Sequence, residues 1–211
     1  MTIKERYNGV LEILAEQMPN VETELNYKTP FQLLVAVVLS AQCTDKRVNM
    51  VTPTLFSAYP DAESMAKAAV EDVFERIRSV SYPNSKSRHI VELSKQLMEH
   101  WNGEVPTDVD ELQTLAGVGR KTANVVTAVL YNQPNMPVDT HVFRVSNRIG
   151  LTNNSKTPLE TERTLTKHIP DEIIPKAHHW LLLHGRYVCT ARKPKCEKYV
   201  IAHFCKSAPN R

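Results

Sequence analysis

Apolar residues recur along this chain at steps of three and four, and no segment alternates between tight glycine turns as a sheet would; the pattern predicts an all-α fold. Tyr7, Leu11, Leu14 and Met18 mark a first amphipathic helix that Pro19 closes. Thr29-Pro30 reads as an N-cap followed by the first helical position. Phe31 to Ala41 is apolar nearly all round, which predicts a central, buried helix. Asp61 caps a short helix over Ala62 to Ala69, and Val73, Phe74, Ile77 and Val80 mark another that stops before Pro83. Ile90, Leu93, Leu97 and Trp101 share one face of a longer helix, ended by Asn102-Gly103. Further on, Thr157-Pro158-Leu159-Glu160 reads as a capping box, and Ile173 to Val188 as the last long helix. No internal repeat and no low-complexity linker interrupts this series.

The chain has 211 residues, 42% of them hydrophobic and 23% charged, enough for one globular domain or two small ones. A net charge of +3 is too small to name a polyanionic partner without local clustering. The most apolar stretch, Phe31 to Leu39, is too short to cross a bilayer, and the start, Met1-Thr-Ile-Lys-Glu-Arg, lacks the pattern of a secretory signal. A cytoplasmic location without membrane contact is the expectation. Cys43 stands apart while Cys189, Cys196 and Cys205 bunch together, which suits a reducing compartment and metal ligation better than disulfides.

Candidate chemistry begins in a helix-hairpin-helix over about residues 108–131. Asp108 caps a helix through Leu115, Ala116-Gly117-Val118-Gly119 follows, and a second helix runs from Arg120 to about Tyr131. Two glycines around one apolar residue permit positive φ and close approach to another surface, while Val118 tucks inward. Free N–H groups at a helix start make a nest for phosphate, so the hairpin predicts contact with a nucleic-acid backbone; an ordinary helix joint is the plainer alternative. Lys121 lies in the first turn of the second helix, where the positive end of the dipole disfavours an ammonium, as would burial in a complex. A neutral amine attacks a sugar carbon to form a Schiff base; contact with phosphate is its plainer role. Asp139 precedes a helix bearing Val142, Phe143 and Val145, which makes it an N-cap. A carboxylate there could also stabilise positive charge on a sugar during glycosidic cleavage.

Four segments, in order and at matching spacing, resemble the endonuclease III family: Ser40-Ala-Gln-Cys-Thr-Asp45, Leu115-Ala-Gly-Val-Gly-Arg-Lys-Thr-Ala-Asn-Val-Val126, Val138-Asp-Thr-His-Val-Phe-Arg144 and His178-His-Trp-Leu-Leu-Leu-His-Gly-Arg-Tyr187. The resemblance covers essentially the whole chain. It implies a two-lobed helix-hairpin-helix DNA glycosylase fold: a six-helix barrel over 23–134, and a second helical lobe from 1–22 with 135–211, with DNA bound across the cleft. It also implies base excision repair of oxidised pyrimidines, flipped out of the duplex. Lys121 displaces the base from C1′, Asp139 is the essential carboxylate, and β-elimination follows at the abasic site. The implied partner is double-stranded DNA with oxidised pyrimidines or abasic sites, and the implied state a monomer. Gln42 enters the space vacated by the flipped nucleotide, unless it only caps the end of the buried helix. Gly117, Val118, Gly119, Arg120, Thr122 and His141 are the other DNA contacts of these segments.

Two departures stand out. The family's cysteines follow C-x6-C-x2-C-x5-C and ligate an iron–sulfur cluster of the 4Fe-4S type; here Cys189, Cys196 and Cys205 fill three places and Tyr199 the other. A cluster on three thiolates, an empty cysteine loop and an altered residue all stay open, and no other cofactor is expected. Within Val80-Ser-Tyr-Pro-Asn-Ser-Lys86, Tyr82 occupies the place of the side chain that wedges into the base stack; a structural tyrosine is equally compatible. From Arg186 to Lys198, five basic residues, among them Arg192, Lys193 and Lys195, stand against one acidic residue, a patch for phosphate or a solvated run. A monofunctional adenine or mismatch glycosylase of the same superfamily is the rival enzyme, disfavoured by Lys121, and a non-catalytic DNA-binding module the rival of another class.

Overall fold

The computed structural model describes residues 1–196 and 200–208, and among these every regular element is helical. Helix α1 (Ile3–Gln17) starts at a capping box in which the Thr2 hydroxyl accepts from the Glu5 amide and the Glu5 carboxylate takes the Thr2 amide. α2 (Pro30–Ser40) is capped by Thr29, and its side chains from Phe31 to Leu39 are all buried, as a stripe without a polar face requires. α3 (Asp45–Ala58), capped by Thr44, goes beyond the sequence reading: it buries Val48, Val51, Thr52 and Leu55 at helical spacing despite Pro53 inside it. α4 (Ala62–Ala66) is capped by Asp61 and is shorter than expected; α5 (Val70–Ile77) and α6 (Pro83–Trp101) follow, the latter closed by Asn102 and Gly103 in the left-handed region. α7 (Val109–Gln113) and α8 (Arg120–Tyr131) form the hairpin. α9 (Thr140–Ile149), α10 (Pro158–His168) and α11 (Ile174–Tyr187) complete the set. At the start of α10 the expected capping box is displaced by one residue: Thr157 accepts from the Glu160 amide, but the Glu160 carboxylate takes the Lys156 amide.

The chain divides into two compact units, Glu24–Tyr131 and Met1–Thr23 together with the chain from Asn132. In the first, α2 supplies the centre of an apolar core completed by Val48, Leu55, Ile77, Ile90, Leu93, Leu97, Leu112 and Val126. In the second, α1 returns to the later helices: Tyr7, Val10, Leu11 and Leu14 pack with Val142, Val145, Ile149, Leu165, Trp180 and Leu181. Polar bonds fix that return. The Tyr7 hydroxyl donates to Leu151 O at 2.8 Å, the Trp180 indole to Met18 O at 2.9 Å, and the buried Arg6 guanidinium to Ile149 O at 2.8 Å and to Phe204 O. Such bonds satisfy loop carbonyls that burial would otherwise leave costly.

Candidate DNA repair site

The hairpin is built from underneath by α6. Asp108 accepts the amides of Asp110 and Glu111 and so starts α7; Gly119 O accepts from Ala123 and so starts α8. Between them Gly117 takes φ +76°, and a Cβ there would sit 2.9 Å from the His89 side chain of α6. Only glycine meets both conditions. The Gln96 side chain, also on α6, accepts the Ala116 amide at 2.8 Å, and Val118 tucks into the core as expected. Gly119 departs from expectation: its φ is not left-handed, and a Cβ on it would meet nothing within 4 Å. The fold does not need glycine there; an open surface over the backbone does. Arg120 and Lys121 are exposed at the head of α8, whereas Thr122 is buried at 9% exposure and offers little surface to a ligand.

In the same unit, Gln42 and Tyr82 are brought together. Both are exposed, Tyr82 at 63%, and both carry positive φ, 53° and 55°, which is costly for residues with a side chain. Ser81 Oγ donates to Gln42 O at 2.7 Å and thereby joins the two turns. Gln42 does not cap α2. That position belongs to Lys86, 5% exposed, whose ammonium donates to Leu39 O at 2.8 Å and Ala41 O at 2.7 Å. Burial lowers the proton affinity of Lys86, with the nearby Cys43 sulfur acting in the other direction. The sequence reading passed over this lysine, yet its signal was present: Lys86, Ile90, Leu93 and Leu97 lie on one helical stripe, and a lysine there must bury its charge.

In the other unit Asp139 caps α9, its Oδ1 accepting the amides of His141 at 2.9 Å and Val142 at 2.8 Å. Its Oδ2 lies 2.9 Å from His141 Nδ1, so the pair turns one carboxylate oxygen to the helix and the other to the imidazole. Gly185 makes room for this histidine, since a Cβ there would stand 2.8 Å from His141 Cβ and 2.9 Å from Val145 Cγ2. This explains a glycine in the last turn of α11, a residue that otherwise favours the helix poorly.

The far end of α9 grips the cysteine loop. Arg144 donates to Gly185 O at 2.8 Å and Cys189 O at 3.1 Å, and Arg148 to Thr190 O and Ala191 O, each at 2.8 Å, and to Cys189 Sγ at 3.6 Å. Cys189, Cys196 and Cys205 line one apolar pocket with Ile149, His184 and Ile201. Burial pushes the Cys205 thiol up, and Cys189 and Cys196 are close enough to add to the shift; burial likewise drives His184 down to about 4. Among the described residues, no three His, Cys, Asp or Glu side chains converge on a single ion. A cluster distributes its thiolates over the corners of a cube, so three cysteines around an apolar pocket fit three corners of a 4Fe-4S centre. Tyr199, at the third of the four family places, and Lys198 lie outside the described residues. Arg192, Lys193 and Lys195 are exposed on the loop, with Lys195 Nζ donating to Tyr187 O at 3.2 Å; Cys43 packs on the core of the unit Glu24–Tyr131. Among the described residues no helix is long and apolar enough to cross a membrane.

A model of the HhH-GPD superfamily base excision DNA repair protein matches residues 35–171, more than half the chain. Endonuclease III of Rickettsia conorii is 47% identical over 198 residues, 94% of each chain, and that of Escherichia coli K12 is 44% identical over 197 residues, 93% of each. A solved structure of a trapped endonuclease III–DNA covalent intermediate superposes with a TM-score of 0.93 at 43% identity, covering 99% of this chain and 98% of that one. The sequence likeness runs nearly end to end and the helical architecture coincides with it. The chain therefore belongs to the HhH-GPD superfamily of base excision DNA repair proteins and, within it, to the endonuclease III family of repair enzymes.

Proposed function

We propose that this enzyme removes oxidised pyrimidines from double-stranded DNA and cleaves the strand at the resulting abasic site, with Lys121 as nucleophile and Asp139 as the carboxylate of the same reaction. The Lys121 nitrogen bonds to C1′ of the flipped nucleotide as the N-glycosidic bond breaks, and the base leaves with a proton. Ring opening leaves an imine; loss of a C2′ proton expels the 3′ phosphate, and water then releases the lysine. Asp139 stabilises positive charge on the sugar and moves protons, a role compatible with capping, because Oδ1 serves the helix while Oδ2 faces His141. Gly117, Val118, Gly119 and Arg120 hold the phosphate backbone, with Thr122 beside them; His141 and the exposed Arg192, Lys193 and Lys195 add further contacts. Gln42 enters the gap left by the flipped nucleotide, and Tyr82 wedges into the base stack. The protein acts as a monomer, in the cytoplasm with the DNA.

The observation that carries this reading is the exposed amine of Lys121 at the head of α8, directly after a hairpin whose Gly119 leaves the backbone open. A relative trapped as a covalent intermediate with DNA supports it, because an attacking protein amine leaves such a species. The cysteines would hold three irons of a 4Fe-4S cluster, with a non-cysteine group on the fourth. When bound, the cluster is a rigid cross-link that keeps the basic loop in shape, and no step of base removal passes through it.

The test is borohydride reduction during turnover of a duplex bearing thymine glycol. Wild type should form a covalent protein–DNA adduct and Lys121→Ala none; absence of the adduct from wild type that still releases base would falsify the lyase assignment. Asp139→Asn should keep the cap, since asparagine caps as well as aspartate, and lose about 10²-fold or more in base release.

A further inference from the structure

We propose that Lys86 and Ser81 form a brace that holds Gln42 and Tyr82 in the paired conformation with which they enter a DNA duplex. The inference rests on the DNA role given above to Gln42 and Tyr82. It starts from a buried charge. Among the described residues the Lys86 ammonium meets no carboxylate; its acceptors are the carbonyls of Leu39 and Ala41 at the end of α2, where the helix carries its partial negative charge. An apolar side chain at 86 would complete the stripe of Ile90, Leu93 and Leu97 without burying a cation, so what lysine adds is two directional bonds.

Those bonds fall where the backbone is strained. Ala41 O is held by Lys86, the next carbonyl, Gln42 O, is held by Ser81 Oγ at 2.7 Å, and Tyr82 O accepts the Lys86 amide at 3.1 Å as α6 begins. Two side-chain ties at neighbouring carbonyls and the first backbone bond of α6 therefore flank two non-glycine residues at φ 53° and 55°. Left-handed backbone at such residues persists only where the surroundings over-determine it. Both side chains project from this junction into solvent, and rigid presentation lowers the cost of ordering them on DNA. Lys86 acts through Gln42 and Tyr82 and is a positioning residue, not a catalytic one.

The experiment uses the full chain with a duplex carrying thymine glycol opposite 2-aminopurine, whose fluorescence rises when it unstacks. For Lys86→Met, which keeps the stem and removes the donors, kcat/KM for base removal falls about tenfold or more and the fluorescence rise is lost. Cleavage of a preformed abasic site falls less, because no base has to be extruded. Lys86→Arg restores part of the signal. Ser81→Ala, a surface change that leaves the core untouched, shows a smaller loss in the same direction. Folded Lys86→Met with the wild-type fluorescence rise and rates overturns the brace; if Lys86→Met fails to fold, Ser81→Ala with wild-type readouts overturns it. Wild type that traps with borohydride and unstacks 2-aminopurine beside unaltered variants leaves the proposed function standing and removes only the brace, whereas wild type that gives no fluorescence rise removes the insertion role and the brace with it.

Discussion

Gly117 and Gly119 are two residues apart and are glycine for different reasons. At 117 the fold demands it, through φ +76° and the His89 side chain beneath. At 119 neither condition holds, and only an approaching ligand would notice a methyl group. Gly117→Ala should therefore cost about 1–3 kcal/mol of stability, read by urea denaturation. Gly119→Ala should unfold like wild type yet bind duplex DNA more weakly in fluorescence anisotropy; a stability loss equal to that at 117 would end the distinction. The hairpin motif was legible from residue types, but the division of labour between its glycines was not, because it depends on a neighbour 28 positions earlier than Gly117. Gln42 makes the same point: its place at the end of α2 was readable, whereas the capping partner came from Lys86, a turn into another helix.

Among the elements of the second unit, α1 and α9 each tie together stretches far apart along the chain. α1 reaches the later helices through Tyr7, whose phenol burial holds well above its ordinary ionisation range. A group whose folded value is raised contributes stability that is intact below the unfolded value of about 10 and lost as pH rises beyond it. Tyr7→Phe should thus cost about 1–2 kcal/mol at neutral pH, by leaving Leu151 O unpaired, and should flatten the fall in stability between about pH 10 and pH 12. Thermal melts across that range check both effects. α9 presents Asp139 and His141 at one end and clamps the cysteine loop with Arg144 and Arg148 at the other. Arg148→Met should speed amide hydrogen exchange over residues 189–195. Iron and visible absorption should be present in the wild-type protein and rise per chain in Tyr199→Cys; iron-free protein in both would remove the cluster. Helix starts were largely legible here, since a cap is a local bond, as at Thr29, Asp61, Asp108 and Asp139. α3 was not, because Pro53 obscured a stripe that tertiary burial nevertheless satisfies.

At the scale of the molecule, one unit is a continuous stretch and the other is assembled from both ends of the chain. Glu24–Tyr131 carries its own apolar core around α2, so a protein of residues 24–131 should fold alone with a cooperative thermal transition in circular dichroism. It should bind duplex DNA through the hairpin and, lacking Asp139, release no damaged base. A chain beginning at residue 24 should instead lose stability throughout the second unit, whose core includes Tyr7, Val10, Leu11 and Leu14. Non-cooperative melting of the 24–131 protein would show that its core does not suffice. The net charge of +3 conceals local grouping, as at Arg192, Lys193 and Lys195 on one loop.

By itself the sequence determined the helical class, most helix starts, the hairpin, and the motifs that mark the family, because helical period, capping and glycine turns are interactions among residues a few positions apart. Tertiary structure decided which partner completes each local signal: Lys86 for the end of α2, His89 for Gly117, His141 for Gly185, and Arg148 for the cysteine loop. Each is a contact between residues distant along the chain, where one hydrogen bond or one missing methyl group selects the geometry, and side-chain type alone does not say which far neighbour it will meet.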